Sequence, residues 1–219
     1  LFRSVLTMRI DQSTKLAATT FLRSLDERFG STESLLRLFY EIEQVKVEKL
    51  KPEHRSAELI VDTDTGEVIC NPGQELGEKG VTIIQSSPLK TAAVITNPGD
   101  PLILNTIAHE DLNFFADITE YQAALLKIYG KLRPGNPPQV DKAVALFKEK
   151  FFDENRYRLG RVGRFRMNRK FEIYKESGKG EGRNWKWSEA DARTQHLRAE
   201  DFLAVVQYIL DLRARNARA

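Results

Sequence analysis

The 219-residue chain holds one cysteine, Cys70, and three histidines, His54, His109 and His196. One thiol cannot close an internal disulfide, and such cysteine usage fits a reducing cytoplasm. The histidines stand far apart with no second cysteine, so no metal-site spacing is present. No apolar run approaches the ~18 to 20 residues that a spanning helix needs, which excludes a transmembrane helix. A Walker A or dinucleotide-type glycine loop is also missing, so a nucleotide pocket is unsupported. The chain opens at Leu1 with no basic leader or signal-type core, as expected of a piece excised from a longer polypeptide.

What is present suits a folded globular chain. Apolar residues make up 41% and charged residues 30%, and the length allows one large domain or two small ones with a real core. With 34 basic and 31 acidic residues the chain is nearly balanced, yet the charge is unevenly placed. Residues 156–219 hold 16 Lys and Arg against 8 Asp and Glu, whereas residues 1–155 hold 18 against 23. The run RYRLGRVGRFRMNRKF, Arg156 to Phe171, has six arginines, one lysine and no acid between Arg156 and Lys170. A positive block on a balanced protein makes an anionic partner plausible.

Periodicity predicts an α+β chain, mostly helical with a small β insert. RSVLTMRI (3–10) reads as a strand. TKLAATTFLRSLDERFG and STESLLRLFYEIE then read as a helical hairpin, with Gly30 stopping the first helix and Ser31 capping the second. Residues 57–96 turn β-rich. Two runs surround the Asp64-Thr65-Gly66 turn, and GVTIIQS and TAAVIT read as further strands. Helical spacing resumes at Asp117, where Asp-x-x-Glu is a variant capping box. RPGNPP breaks the chain, with Asn136 a cap and Pro137 and Pro138 in the first turn of the next helix. Gly160, Val162 and Gly163 read as a tight turn, residues 175–195 as an exposed loop, and 199–215 as a final amphipathic helix.

In the basic run, Arg supplies forked donors, Gly permits close backbone approach, and Tyr157 or Phe165 can pack on a base or sugar. A solvated face whose arginines pair with the acidic part of the chain is equally open on composition. The Pro-Gly loop after Leu132 would hold Arg133 in place, or simply connect two helices. Asp62, Asp64 and Glu67 do not match a calcium loop and read as a hairpin turn. His109-Glu110-Asp111 has no companion nucleophile in a recognisable context. Trp185 and Trp187 fit either a contact surface or packing.

The basic run, preceded by LLKIYGKLRPGNPPQVDKAVALFKEKFFDEN, resembles the beta subunit of bacterial DNA-dependent RNA polymerase. MRIDQSTKLAATTFLRSL, DPLILNTI and EDFLAVVQYILDLR resemble further segments of that family in the same order. The resemblance implies the lobe beside the DNA cleft: a discontinuous domain of residues 1–56 and 97–219, with 57–96 as a small β subdomain where the family tolerates insertions. It implies a non-catalytic part of a nucleotidyltransferase. No cofactor is expected in the piece itself, because the catalytic magnesium belongs to the beta-prime subunit.

The expected work is to wall the main channel and contact promoter bubble and downstream DNA. The implied partners are DNA, the beta-prime, alpha and omega subunits and sigma factor, in the cytoplasm with the nucleoid; the isolated piece is expected to be monomeric. Arg133, Arg156 and Tyr157 match family positions facing DNA, Arg9 and Lys15 a second basic patch, and Arg161 and Arg164 of the basic run are counted with them. A free-standing RNA-binding protein, or a factor-recruiting module without DNA contact, are the competing readings.

The sequence departs from the family pattern in several places. Ala17 stands where Pro is usual, Gln12, Ser13 and Thr14 replace arginines found in some relatives, and Arg158 replaces the aspartate of RYDL. Arg198 replaces the usual Thr cap of the last helix, which leaves that helix start in need of another partner.

Overall fold

The computed structural model describes residues 5–62, 64–112, 117–156, 158–175, 185, 187–191 and 193–216. Its first element is a hairpin of β1 (Thr7–Arg9) and β2 (Lys15–Ala17), antiparallel with Arg9 opposite Lys15 and Met8 opposite Leu16. Met8 and Leu16 turn inward while Arg9 and Lys15 face water, as a two-residue period requires. Strand β2 runs directly into α1 (Ala18–Leu25), and α2 (Thr32–Phe39) follows with the expected cap, the Ser31 hydroxyl accepting from the Ser34 N–H. Gly30, between the two helices, is required by close approach: a Cβ there would lie 2.6 Å from the Tyr121 Cβ.

Next comes a small α/β unit. Strands β3 (Glu43–Lys46), β4 (Arg55–Ser56) and β7 (Thr91–Ile95) form an antiparallel sheet in the order β3-β7-β4. Strands β5 (Ile60–Val61) and β6 (Val68–Cys70) pair around the expected turn, and α3 (Gly77–Ser86) packs behind them. GVTIIQS is therefore helical rather than a strand. Its β-branched content favours a strand, but Leu76, Gly80, Val81 and Ile84 recur at helical spacing and bury together against Leu50, Cys70 and Val94.

The remaining elements are helices α4 (Leu102–Ala108), α5 (Glu120–Leu132), α6 (Val140–Phe151), α7 (Gly160–Phe171) and α8 (Ala199–Asn216). Several termini differ from expectation. Helix α5 is capped by Thr119 in a full box with Gln122, not by Asp117, which frees Glu120 for a different task. Helix α6 begins after Gln139, so Asn136, Pro137 and Pro138 lie ahead of it in the loop. Of the expected tight turn, Gly160 takes the left-handed angle, φ +72°, where the chain enters α7, while Val162 and Gly163 already lie in the first turn of that helix. Arg198 is not left without a partner at the start of α8: its N–H donates to the Asp201 carboxylate three residues on, at 2.9 Å, the return half of a capping box. In the stretch read as an exposed loop, residues 176–184, 186 and 192 lie outside the described residues. Trp185, Trp187 and Ala190 there are buried, so the tryptophans serve packing.

Two apolar clusters organise the helices. One gathers Leu22, Leu35, Ile103, Phe171, Trp187 and Leu203 from α1, α2, α4, α7, the segment before α8, and α8 itself. The other joins Ile10 and Leu16 of the hairpin to Phe21, Leu125, Ile128, Tyr129 and Phe147 of α1, α5 and α6. Among the described residues no helix is long and apolar enough to cross a membrane.

Two buried arginines tie these helices together. The Arg23 guanidinium donates to both Glu110 oxygens (2.8 to 3.2 Å), to the Gly30 carbonyl (2.8 Å) and to the Thr32 hydroxyl (2.8 Å), and it pairs with Glu120. Glu120 also accepts from the Thr32 N–H at 2.7 Å, so α1, α2, the segment after α4 and the start of α5 meet at one charge. Arg164 of α7 donates to both Asp201 oxygens at 2.9 and 3.1 Å, to the Thr194 carbonyl at 2.9 Å and to the His196 carbonyl. Asp201 further accepts from the Trp187 indole at 3.1 Å.

Removing one partner of a buried pair leaves the other unpaired, which costs about 3–5 kcal/mol. Arg23→Met and Arg164→Met are each expected to lower the unfolding free energy by about that amount in urea denaturation; losses below about 1 kcal/mol, the range of exposed pairs, would contradict the role. Ala17 sits at φ −59°. The ladder bonds Ala18 N–H to Leu6 and Ile10 N–H to Thr14 alternate past it, which leaves its own N–H out of the ladder. Ala17→Pro should therefore raise stability by about 0.4–1 kcal/mol, and a lower melting temperature would contradict this geometry.

Candidate nucleic-acid interface

The hairpin presents a charge arrangement that favours an anion. By the same alternation, Arg9 and Lys15 form a non-hydrogen-bonded pair, the kind in which opposed side chains lie closest. Like charges directly opposite one another are unfavourable. Both are exposed, and neither has an acidic partner among the described residues. The turn that holds them is tied by Asp11, whose carboxylate accepts from the Ser13 N–H (2.9 Å), the Thr14 N–H (2.7 Å) and the Thr14 hydroxyl (2.9 Å). The Thr14 hydroxyl bond, then the backbone bonds, hold the Asp11 carboxyl below the usual aspartate range, so the turn keeps its charged tie into mild acid.

Arg133 follows the last residue of α5. Its N–H donates to the Tyr129 carbonyl at 2.8 Å, and its own carbonyl accepts from the Asn136 N–H at 3.2 Å. Pro134 and Gly135 fill the middle of that turn. Gly135 has φ +86°, the left-handed angle the third position of a type II turn demands, with proline favoured at the second. The side chain of Arg133 is exposed.

Arg156 ends the turn after α6, where its N–H donates to the Asp153 carbonyl at 3.1 Å. Its guanidinium lies 3.0 Å from Glu149 of α6, with both side chains about half exposed, so it is leashed but reachable. Tyr157 lies outside the described residues.

The hairpin, the end of α5 and the end of α6 all pack on the second apolar cluster, through Met8 and Leu16, Tyr129 and Leu132, and Phe147, Phe151 and Phe152. One core thus positions the segments that carry Arg9, Lys15, Arg133 and Arg156. Arg161 is exposed on the first turn of α7, which packs instead on the first cluster. Arg164 is 0% exposed and committed to Asp201 and two carbonyls, which corrects the expectation that it touches DNA. A guanidinium with no accessible surface cannot meet a phosphate outside.

Reasoning from sequence also passed over Arg166 and Arg169, both exposed on α7. No apolar periodicity marks them, because the inner face of α7 is Arg164, Asn168 and Phe171, two of them polar, while the apolar Val162 and Phe165 lie outside. A cleft of about 780 Å³ between α1, α6 and the start of α8 is lined by Asp26, Arg28, Lys148, Glu149, His196 and Arg198. Its charges are mixed: Arg28 pairs with Asp26 at 2.7 Å inside the cleft, while Glu149 and Arg198 pair with Arg156 and Asp201 outside its lining at 3.0 and 3.4 Å. No group of three metal-ligating side chains occurs among the described residues.

Comparison with known proteins agrees with this chain's motifs. The family model described as RNA polymerase Rpb2, domain 2, matches residues 92–180. A DNA-directed RNA polymerase subunit beta from Rhodopirellula baltica is 36% identical over 219 residues, covering 96% of this chain and 16% of that protein. The subunits of the same name from Leptospira biflexa and Koribacter versatilis are 28% and 27% identical, over 96% and 99% of this chain. The chain thus spans about a sixth of the length of the curated relatives it matches, 16% to 18%. It belongs to the family of bacterial DNA-directed RNA polymerase beta subunits, of which it matches one segment.

Proposed function

We propose that this segment is a non-catalytic wall of the DNA channel in a nucleotidyltransferase polymerase, contacting bubble and downstream DNA. The observation that carries the reading is the pair of opposed, exposed cations Arg9 and Lys15, without an acidic partner among the described residues, on the same core that positions Arg133 and Arg156. Such fixed cations suit sequence-independent phosphate contacts, which orient a duplex without reading bases. Arg161 and Tyr157 extend the proposed contact along the chain. Residues 1–56 and 97–219 act as the lobe and 57–96 as its subdomain, working with the other polymerase subunits and sigma in the cytoplasm, where the nucleoid lies. The magnesium chemistry would belong to beta-prime.

The test is the salt dependence of promoter-complex formation by polymerase reconstituted around the full-length subunit. If Arg9, Lys15, Arg133 and Arg156 each neutralise one phosphate, replacing all four by Ala should flatten the log–log salt slope by about 3.6. Arg133→Ala alone should flatten it by about 0.9. An unchanged slope and unchanged complex lifetime in the fourfold variant would end the DNA reading.

A further inference from the structure

Helix α7 carries Arg161, Arg164, Arg166, Arg169 and Lys170 and no acidic residue. Its inner face, Arg164, Asn168 and Phe171, is buried. On the outer face Val162, Phe165 and Ile173 are 66%, 63% and 59% exposed, among the most exposed large apolar side chains of the protein. Positions 162, 165, 169 and 173 are three, four and four residues apart, within about 80° of one another around a helix, with Ile173 in the 3-10 turn that follows α7. Val162, Phe165, Arg169 and Ile173 therefore form one stripe, and Arg166 borders it.

Arg166 and Arg169 have no acidic partner among the described residues, while Lys170 lies over the Tyr208 ring at 4.1 Å. A hollow of about 300 Å³ opens beside Phe165 and Arg169. The acids at its rim, Glu172 and Glu189, share Lys175 at 3.4 and 2.7 Å, and against these two acids the face sets three cations, Lys175, Arg166 and Arg169, an excess of one positive charge.

We propose that this outer face of α7 docks an acidic amphipathic helix of a protein partner. The partner's apolar residues cover Val162, Phe165 and Ile173, and its carboxylates meet Arg166 and Arg169. A phosphate backbone could satisfy the arginines but would leave three large apolar side chains in water; a helix with an apolar stripe and flanking acids satisfies both. Charge complementarity selects the acidic partner, and the helical spacing of the stripe selects its shape.

The probe is a synthetic helix with Leu at i, i+3, i+7 and i+11 flanked by Glu, labelled for fluorescence anisotropy. It is titrated with polymerase reconstituted around the full-length subunit. Phe165→Ser with Ile173→Ser, and separately Arg166→Glu with Arg169→Glu, should each weaken binding by about tenfold or more, the loss expected at a docking anchor. Arg133→Glu should leave peptide affinity unchanged while altering the DNA salt slope, so failure here is distinct from failure of the DNA reading.

Normal assembly of each variant into polymerase shows that the exposed substitutions have not unfolded the subunit; a variant that does not assemble is replaced by Phe165→Ala or Arg169→Gln. No binding by the assembled enzyme overturns the proposal, as does equal binding of a peptide with Ser in place of Leu. Displacement by duplex DNA with the apolar variants silent would assign the face to nucleic acid instead. Self-association abolished by Phe165→Ser would assign it to a second copy, again against the proposal.

Discussion

The ion pair between Arg164 and Asp201 is the joint on which the basic part of the molecule depends. A guanidinium removed from water is tolerable only when its donors are met, and here one carboxylate and two backbone carbonyls meet them. The same carboxylate accepts the Trp187 indole N–H and the Arg198 N–H. Four segments therefore converge on one aspartate: α7, the loop carrying Trp187, the residues around Arg198 and α8. Because Arg164 is pulled inward, the rotation of α7 about its axis is set. Arg166 and Arg169 must then face outward with Val162 and Phe165.

Arg23 does the corresponding task at the other end. It gathers Glu110, Glu120, the Gly30 carbonyl and Thr32, and so fixes α5 against α1 and α2. Helix α5 in turn carries Tyr129 and Leu132 into the cluster beneath the β1–β2 hairpin, and ends at the Pro-Gly turn beside Arg133. Cations buried in the scaffold thus hold exposed cations in position. Apolar replacement of a buried pair can be neutral or stabilising, so the value of such pairs here lies in fixing register rather than in raw stability.

Several features were legible in the sequence. The hairpin at Ile60–Cys70, the Ser31 cap and the final amphipathic helix rest on local rules, because turn residues and caps act within a few positions of themselves. Local rules failed where neighbours compete. At the start of α5 both Asp117 and Thr119 offer a capping oxygen, and Thr119 wins because Gln122 completes its box while Glu120 is drawn to Thr32. In GVTIIQS the β-branched residues argued for a strand, yet burial of Val81 and Ile84 on one side selected a helix.

The sequence by itself determined the family, the uneven charge and the candidate DNA-facing cations, because these reside in residue identity and order. Only the tertiary structure decided which cations are exposed. Arg161, Arg164 and Arg166 are chemically identical and nearly adjacent, yet Arg164 is fully buried and the other two face water. That division depends on where Asp201, 37 residues away, comes to rest. It is a long-range fact of packing that no local pattern in the run records.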